Sequence, residues 1–556
     1  MVDAQTRSQR RILPGLTGKN LVRELLAGVT LLAIAIPLNI GYAQIAGLPA
    51  TAGLYALVLP AILYALTVSS RQLVASPDAA AAALVASSVG GLAVSQGNYI
   101  ALTLAQALIG GVLFLACAFL KLGFLANFLS KPILVGFVGG LALDILVSQV
   151  AKMLGVKIDS GGEFLDKVAG LVTGLQKLNG WSVLIAAGAL VVLLAGRMVA
   201  RAVPWALVVL VVGTVIVVVT DAPSAGVSVL GKVQAGPPTL TWPVIDWGQW
   251  LAVIPSAIAL TLVTMGEGLL VSRSYGERRH YPTRANRDLF AFGLGNLGAG
   301  VTGGFFVGSS TSRTAAMDQA GSRTQLPTLV IAVGTLALLI FGTALLEDIP
   351  SPAIGAIVAV AVVPVLGIPD FIRLWRLDKF EFAIAAACFL GAVFIGPIAG
   401  IVIAFVLAVV NVTRRAANPP IDTLAADGDP ADSLLDEAEP DSVTVPGVVV
   451  IRLAAPLFFA NSTMFEQAVK RAVTTTGAVH VVLDMEAVTD VDVTGAEAWE
   501  SVQEFLTERG ADLALSRVRP GIRDRLAQLE ITSGLTYFGT NRAAIAALRT
   551  DTPEHA

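Results

Sequence analysis

A chain of 556 residues that is 55% hydrophobic and only 14% charged, with a mean hydropathy of +0.76, cannot hide its apolar side chains in a soluble core, since soluble domains are about one quarter charged. A net charge of −3 excludes the basic surface of a nucleic-acid binder. Cys117 and Cys388 sit inside apolar stretches, and His280, His480 and His555 have no ligand spacing, so neither a disulfide framework nor a metal site is expected.

The N-terminal residues 1–20 carry Arg7, Arg10 and Arg11 with no small-residue cleavage site behind a short apolar core. The first apolar segment is therefore expected to be retained. Runs such as "WSVLIAAGALVVLLAG" and "PIAGIVIAFVLAVVNV" predict a polytopic α-helical membrane domain over 21–416, and the dyad alternation of an outer-membrane barrel is absent. Basic residues such as Arg71, Lys131, Arg273, Arg279 and Arg414 flank the apolar segments. With about fourteen alternating spans and a cytoplasmic N-terminus, these fall on the cytoplasmic side of an inner (plasma) membrane. The lysine-bearing stretch 152–177 falls on the outer side and runs against that count.

The first apolar segment, "LLAGVTLLAIAIPLNIGYAQIAGLPATAGLYA", holds Pro37, which should kink or break it, and then Asn39, Tyr42 and Gln44. The polar residues are expected to face protein or a cavity. Tyr42 would wall a pocket or sit at the interface as an aromatic anchor.

Two later stretches do not read as full spans. In "SSRQLVASPDAAAAALVASSVGG", 69–91, an extended piece at Leu73–Ala75 leads into Ser76–Pro77 and predicts a helix starting at Pro77, midway through the membrane. In "GGFFVGSSTSRTAAM", an extended piece at Phe305–Val307 leads into a Ser/Thr cluster and predicts a helix starting near Ser312. These are the third and tenth segments, at equivalent places in two seven-span halves of inverted topology, where a transporter's midplane site is expected.

Two facing helix N-termini offer unpaired N–H groups and partial positive charge. Ser309, Ser310, Thr311 and Ser312 add hydroxyls, and Arg313 adds a full charge. Together they suit a small anion. Alternatively, Arg313 is a structural ion-pair partner or reaches an interface. Glu267, in "IALTLVTMGEGLLVSRS", is the one carboxylate of its segment, with Thr264 a turn away on the same face. It is a candidate carrier of a coupling proton, or a sodium ligand with Thr264, or one half of a structural salt bridge.

Composition shifts after Arg415. Residues 417–444, including "DTLAADGDPADSLLDEAEPDS", read as an acidic solvated linker. Residues 445–550 alternate strands ("GVVVIRL", "AVHVVLDM", "ADLALSRV") with helices ("GAEAWESVQEFLTER", "GIRDRLAQLEI"), as a small α/β domain does.

Several motifs carry a family resemblance over nearly the whole chain. "IPLNIGYAQIAGLPATAGLYA", "SSRQLVASPDAA" and "NRDLFAFGLGNLGAGVTGGFFVGSSTSRTAAMDQAGSRTQ" resemble the sulfate permease (SulP) family, which includes pendrin and prestin. "VLDMEAVTDVDVTGAEAW" looks like the Asp-x-(Ser/Thr)-Gly loop of a STAS domain. The resemblance implies a seven-plus-seven inverted repeat, a core domain moving against a gate domain, and a homodimer. It places Ser312 and Arg313 at the anion and Glu267 at proton or sodium coupling. The sequence departs from the family at Leu38, with Asn39 one place on from the usual glutamine, and at Ser76, which replaces a glycine. Asp78 adds a carboxylate beside the site, either close to substrate or as a helix-start charge. Val493 stands where related anti-sigma antagonists carry a phosphorylated serine.

The expected function is secondary active transport of a small inorganic oxyanion, sulfate or bicarbonate, by proton-coupled symport with alternating access. The alternatives are sodium-coupled bicarbonate transport, proton-coupled C4-dicarboxylate transport or an uncoupled channel. No nucleotide-binding loop or nucleophile–base pair appears, so neither enzyme activity nor a cofactor is expected beyond the coupling ion. Arg313, Ser312, Thr311, Ser310, Ser76, Asn39, Tyr42 and Asp78 are the candidate substrate contacts, and Glu267 and Thr264 the candidate coupling residues.

Overall fold

The computed structural model describes residues 13–90, 92–93, 95–124, 131–158, 163–200, 203–426, 436–438, 442–531 and 534–549. Most of the expected N-terminal segment and the middle of the expected linker lie outside them. The chain divides into two compact units, Met1–Leu407 and Ala408–Ala556.

The first unit is helical. Among the described residues, six helices are long and apolar enough to cross a membrane, or seven if the bent pair Phe164–Lys177 and Gly180–Gly196 counts as one span. By length alone this falls short of fourteen, because several apolar helices are shorter than a full span. Helix α1, Leu21–Ile45, runs through Pro37 without a break, so of the expected kink or break the break does not occur. Helices α2 (Ala50–Tyr55) and α3 (Leu59–Thr67) follow.

The first half-span is a two-residue strand, β1 (Ala75–Ser76), and helix α4 (Ala79–Val89). The helix starts two residues later than Pro77 predicts, because Asp78 takes the cap position and its side chain accepts from the Ala81 N–H at 2.7 Å. Then come α5 (Gln96–Phe119), α6 (Lys131–Leu154), α7 (Phe164–Gly174), α8 (Gly180–Val199), α9 (Trp205–Thr220), α10 (Trp247–Arg278) and α11 (Ala285–Val301). The second half-span is β2 (Gly308–Ser309) and α12 (Thr311–Gln319), capped by Ser310. Its strand begins after the predicted Phe305–Val307. Helices α13 (Leu326–Phe341), α14 (Ser351–Val362), α15 (Ile368–Leu377), α16 (Lys379–Phe394) and α17 (Pro397–Ala417) complete the bundle.

β1 and β2 pair antiparallel, with Ala75 opposite Ser309 and Ser76 opposite Gly308. The Ser310 N–H donates to the Val74 carbonyl at 3.0 Å, and the Val74 N–H donates to Thr314 Oγ1 at 3.0 Å. Unpaired strand backbone would be costly at membrane depth, and this pairing satisfies it. The antiparallel register brings the starts of α4 and α12 together, each helix running away from the junction.

Two buried carboxylates anchor the half-spans. Asp288 on α11 accepts from the Ser69 N–H and hydroxyl, each at 2.7 Å, and from Ser272 at 2.5 Å, fixing the approach to β1. Glu24 on α1 accepts from Ser322 Oγ at 2.6 Å, Thr324 Oγ1 at 2.8 Å and the Arg323 N–H at 2.7 Å, fixing the exit from α12. Burying a carboxylate this deeply is tolerable only with such a full donor set.

The second unit is a six-stranded sheet in the order β4-β3-β5-β6-β7-β8. Its elements are β3 (Ile421–Ala425), β4 (Asp436–Glu437), β5 (Val448–Leu453), α18 (Ser462–Thr476), β6 (His480–Asp484), α19 (Val493–Glu508), β7 (Asp512–Ser516), α20 (Pro520–Gln528), β8 (Thr536–Phe538) and α21 (Asn541–Leu548). Strands β5 to β8 run parallel. Strict alternation sorts their side chains. Val449, Ile451, Val481 and Leu483 pack on one face with Phe465 and Trp499, whereas Val448, Val450 and Val482 pack on the other with Ala544 and Ile545. The linker expectation needs correction at its start. Residues 421–425 form strand β3, paired antiparallel with β5, so the sheet begins well before Val445.

Candidate functional site

The site lies where α4 and α12 begin. Ser310 caps α12, and Arg313 follows three residues later, one turn in. Arg313 is 1% exposed. Its Nε donates to Ser310 Oγ at 2.8 Å, and its Nη2 donates to the Pro77 carbonyl of the other half-span. Its guanidinium lies 5.6 Å from the Tyr42 ring centroid, a cation–π distance. The third nitrogen, Nη1, is buried without a partner. Among the described residues, no carboxylate forms an ion pair with Arg313. Arg313 is thus in no ion pair among the described residues, although the Asp78 carboxylate is close enough to feel its charge, and a vacant donor remains beside two helix starts.

Other candidate contacts are buried on neighbouring elements. Ser76 Oγ is buried without a partner on the paired strands, and Ser309, opposite on β2, lies beside Glu267. Asn39 is fully buried; its amide donates to the Ala35 carbonyl at 2.8 Å, leaving Oδ1 unpartnered. Tyr42 is buried, walling the site and not lying at an interface. Thr311 and Ser312 are exposed on the first turn of α12.

Glu267 and Thr311 meet directly, the Thr311 hydroxyl donating to Glu267 Oε1 at 2.9 Å. Both line a cavity of about 1300 Å³ that also reaches Lys131, Arg273, His280 and Asp370. The cavity gives water and solutes a path to α12 and the carboxylate. Thr264, one turn before Glu267 on α10, lines a small space of about 10 Å³ with Asp78, Leu84 and Phe137.

Asp78 acts through geometry. One carboxylate oxygen caps α4, and the other lies against Gly308, where a β-carbon would collide with it. Sequence reasoning missed this contact, the Pro77 carbonyl and the anchors Glu24 and Asp288. The anchors did leave a signal: each is the one carboxylate, just after an arginine, at the start of an apolar run, "RELLAG" and "RDLFAFG".

The model of the sulfate permease family matches residues 21–388. The chain belongs to that family. A STAS domain model matches residues 439–544. A probable sulfate transporter of Mycobacterium tuberculosis (strain CDC 1551 / Oshkosh) is 33% identical over 526 residues, covering 93% of this chain and 91% of that one. Among solved structures, the murine Solute Carrier 26 family member A9 anion transporter in the inward-facing state aligns with a TM-score of 0.85 at 21% identity, covering 96% of this chain and 92% of that one. The transmembrane domain of a cyanobacterial bicarbonate transporter, BicA, aligns with a TM-score of 0.61 at 24% identity, covering 72% of this chain and all of that domain. The fold of this sulfate permease relative is thus a helical transmembrane domain followed by a STAS domain. Membership also supports anion transport in place of catalysis.

Proposed function

We propose that this chain is a secondary carrier of a small inorganic oxyanion, sulfate first, working by alternating access. The observation that carries the reading is the vacant Nη1 of Arg313, buried between two helix starts with no carboxylate in ion-pair contact among the described residues. An anion completes that set: a fixed charge, hydroxyls at Ser76 and Ser309, and first-turn N–H groups. The name of the mycobacterial relative, a probable sulfate transporter, supports sulfate as the first candidate. Bicarbonate is second, favoured by the likeness to the bicarbonate transporter's membrane domain.

Glu267 is the coupling residue. Hydrogen-bonded to Thr311 and open to the cavity, it takes up a proton with the anion and so reduces the charge moved. The cavity mouth carries Lys131 and Arg273, which supports an inward-open state with that mouth cytoplasmic in an inner-membrane, multi-pass protein. The STAS domain then lies on the cytoplasmic side of a homodimer. Uptake into proteoliposomes tests this. Sulfate, bicarbonate and C4-dicarboxylates are compared under an imposed proton or sodium gradient. Saturable sulfate uptake driven by protons is expected. Dependence on sodium alone, or flux that never saturates, overturns the reading.

A further inference from the structure

A second polar cluster lies beyond the site, on its far side from the large cavity. Ala83 and Ala86 of α4 line it, about 8–12 Å along the helix from the Asp78 cap at ~1.5 Å per residue. Gln44, two residues after Tyr42 on α1, lines it too. The facing wall is α6, with Asp144, Gln149 and Lys152, joined by Lys167 of α7.

Lys167 is 5% exposed and bonds Asp144 at 2.8 and 3.0 Å. Lys152 has no carboxylate among the described residues; its ammonium donates to Gln44 Oε1 at 3.2 Å. Gln149 is fully buried, and both polar atoms of its side chain lack partners. One aspartate against two lysines leaves a basic group in excess at a partly buried cluster, beside an amide with nothing to bond. Such an arrangement is costly unless something else completes it. The space now is about 10 Å³, room for roughly one water, so this conformation is the closed one on that side.

We propose that Lys152 and Gln149 form a second binding station for the transported oxyanion on the route opposite the cavity. The station is occupied when α6 parts from α1 and α4 and Lys152 gives up Gln44 for the anion. The Lys167–Asp144 pair holds α7 against α6 and keeps Asp144 from neutralising Lys152. This rests on the oxyanion reading of the Arg313 site and goes beyond it.

The test uses proteoliposomes sorted by orientation, with sulfate as the probe. Lys152→Gln is expected to raise the half-saturation concentration about tenfold for sulfate offered on the far side, leaving it unchanged on the cavity side. Lys177→Gln, an exposed lysine near the same helix end, should change neither. An equal effect on both sides, or none, overturns the station. Acylation of Lys152 by a membrane-impermeant amine reagent, read by peptide mass spectrometry, gives a second measure. Sulfate at millimolar concentration should slow it at least threefold, and unchanged acylation overturns the proposal. This readout needs no transport, so a wild-type protein that moves no oxyanion sinks the functional reading while acylation still decides the station.

Discussion

The hydroxyl of Thr311, the first residue of α12, donates to Glu267 on α10 at 2.9 Å. One bond thus joins the start of this half-helix to the carboxylate at the cavity wall. In the proposed carrier, loading of the anion and the state of the carboxylate would share this contact.

Glu267→Gln should keep sulfate binding while losing accumulation driven by a proton gradient. The amide keeps an acceptor for Thr311 but cannot release a proton. Uptake with and without the gradient measures this; full gradient-driven accumulation in the variant would rule Glu267 out as the proton carrier.

Arg313→Ala should lower sulfate affinity by about 100-fold, the scale of losing charge-assisted bonds in a dry site. Arg313→Lys should not restore it. The guanidinium uses separate nitrogens for Ser310, for Pro77 and for the vacant position, and an ammonium cannot reproduce that planar fork. Equilibrium binding to purified protein reads both. A lysine variant with wild-type affinity would contradict the geometry.

Gly308→Ala should reduce uptake at least tenfold with the protein still folded and inserted. The added methyl meets the Asp78 carboxylate, and overpacking of that kind costs about 1–3 kcal/mol. Pairing the substitution with Asp78→Ala should recover part of the loss if the collision is the cause. Uptake normalised to inserted protein decides it.

In the STAS domain, Asp484 is buried and holds Arg452 and Asn541, each at 3.0 Å. Asp484→Ala should destabilise that domain by about 3–5 kcal/mol, because it strands a cation. Hydrogen exchange of the β5 and β6 amides in the full chain should quicken accordingly.

The half-spans were legible in the sequence because their signals are local. Pro77 and a Ser/Thr cluster announce helix starts, and a lone arginine or carboxylate stands out in apolar surroundings. The starts shifted by a residue or two because Asp78 and Ser310 took the caps. Contacts between segments were not legible. Gly308 against Asp78 depends on a strand pairing across more than 200 positions, and nothing near either residue encodes it. Strand β3 was hidden because only Leu424 of its five residues is buried, so a partly exposed strand running into an acidic stretch looks like linker. Of the four lysines of 152–177, Lys157 and Lys177 are exposed and still count against the orientation, whereas the other two do not. Lys167 is buried against Asp144, and Lys152 reaches Gln44, so neither is a free loop charge of the kind that orients a segment.

The ribbon of β1 and β2 has a mechanical consequence. Its backbone bonds lock both half-helices into one cradle, and Arg313 rivets it by bonding across to Pro77. The cradle cannot unclasp without breaking buried backbone bonds. For the proposed carrier, release then comes from carrying the intact cradle past its surroundings, so that a bound anion would meet the same donors on either face of the membrane.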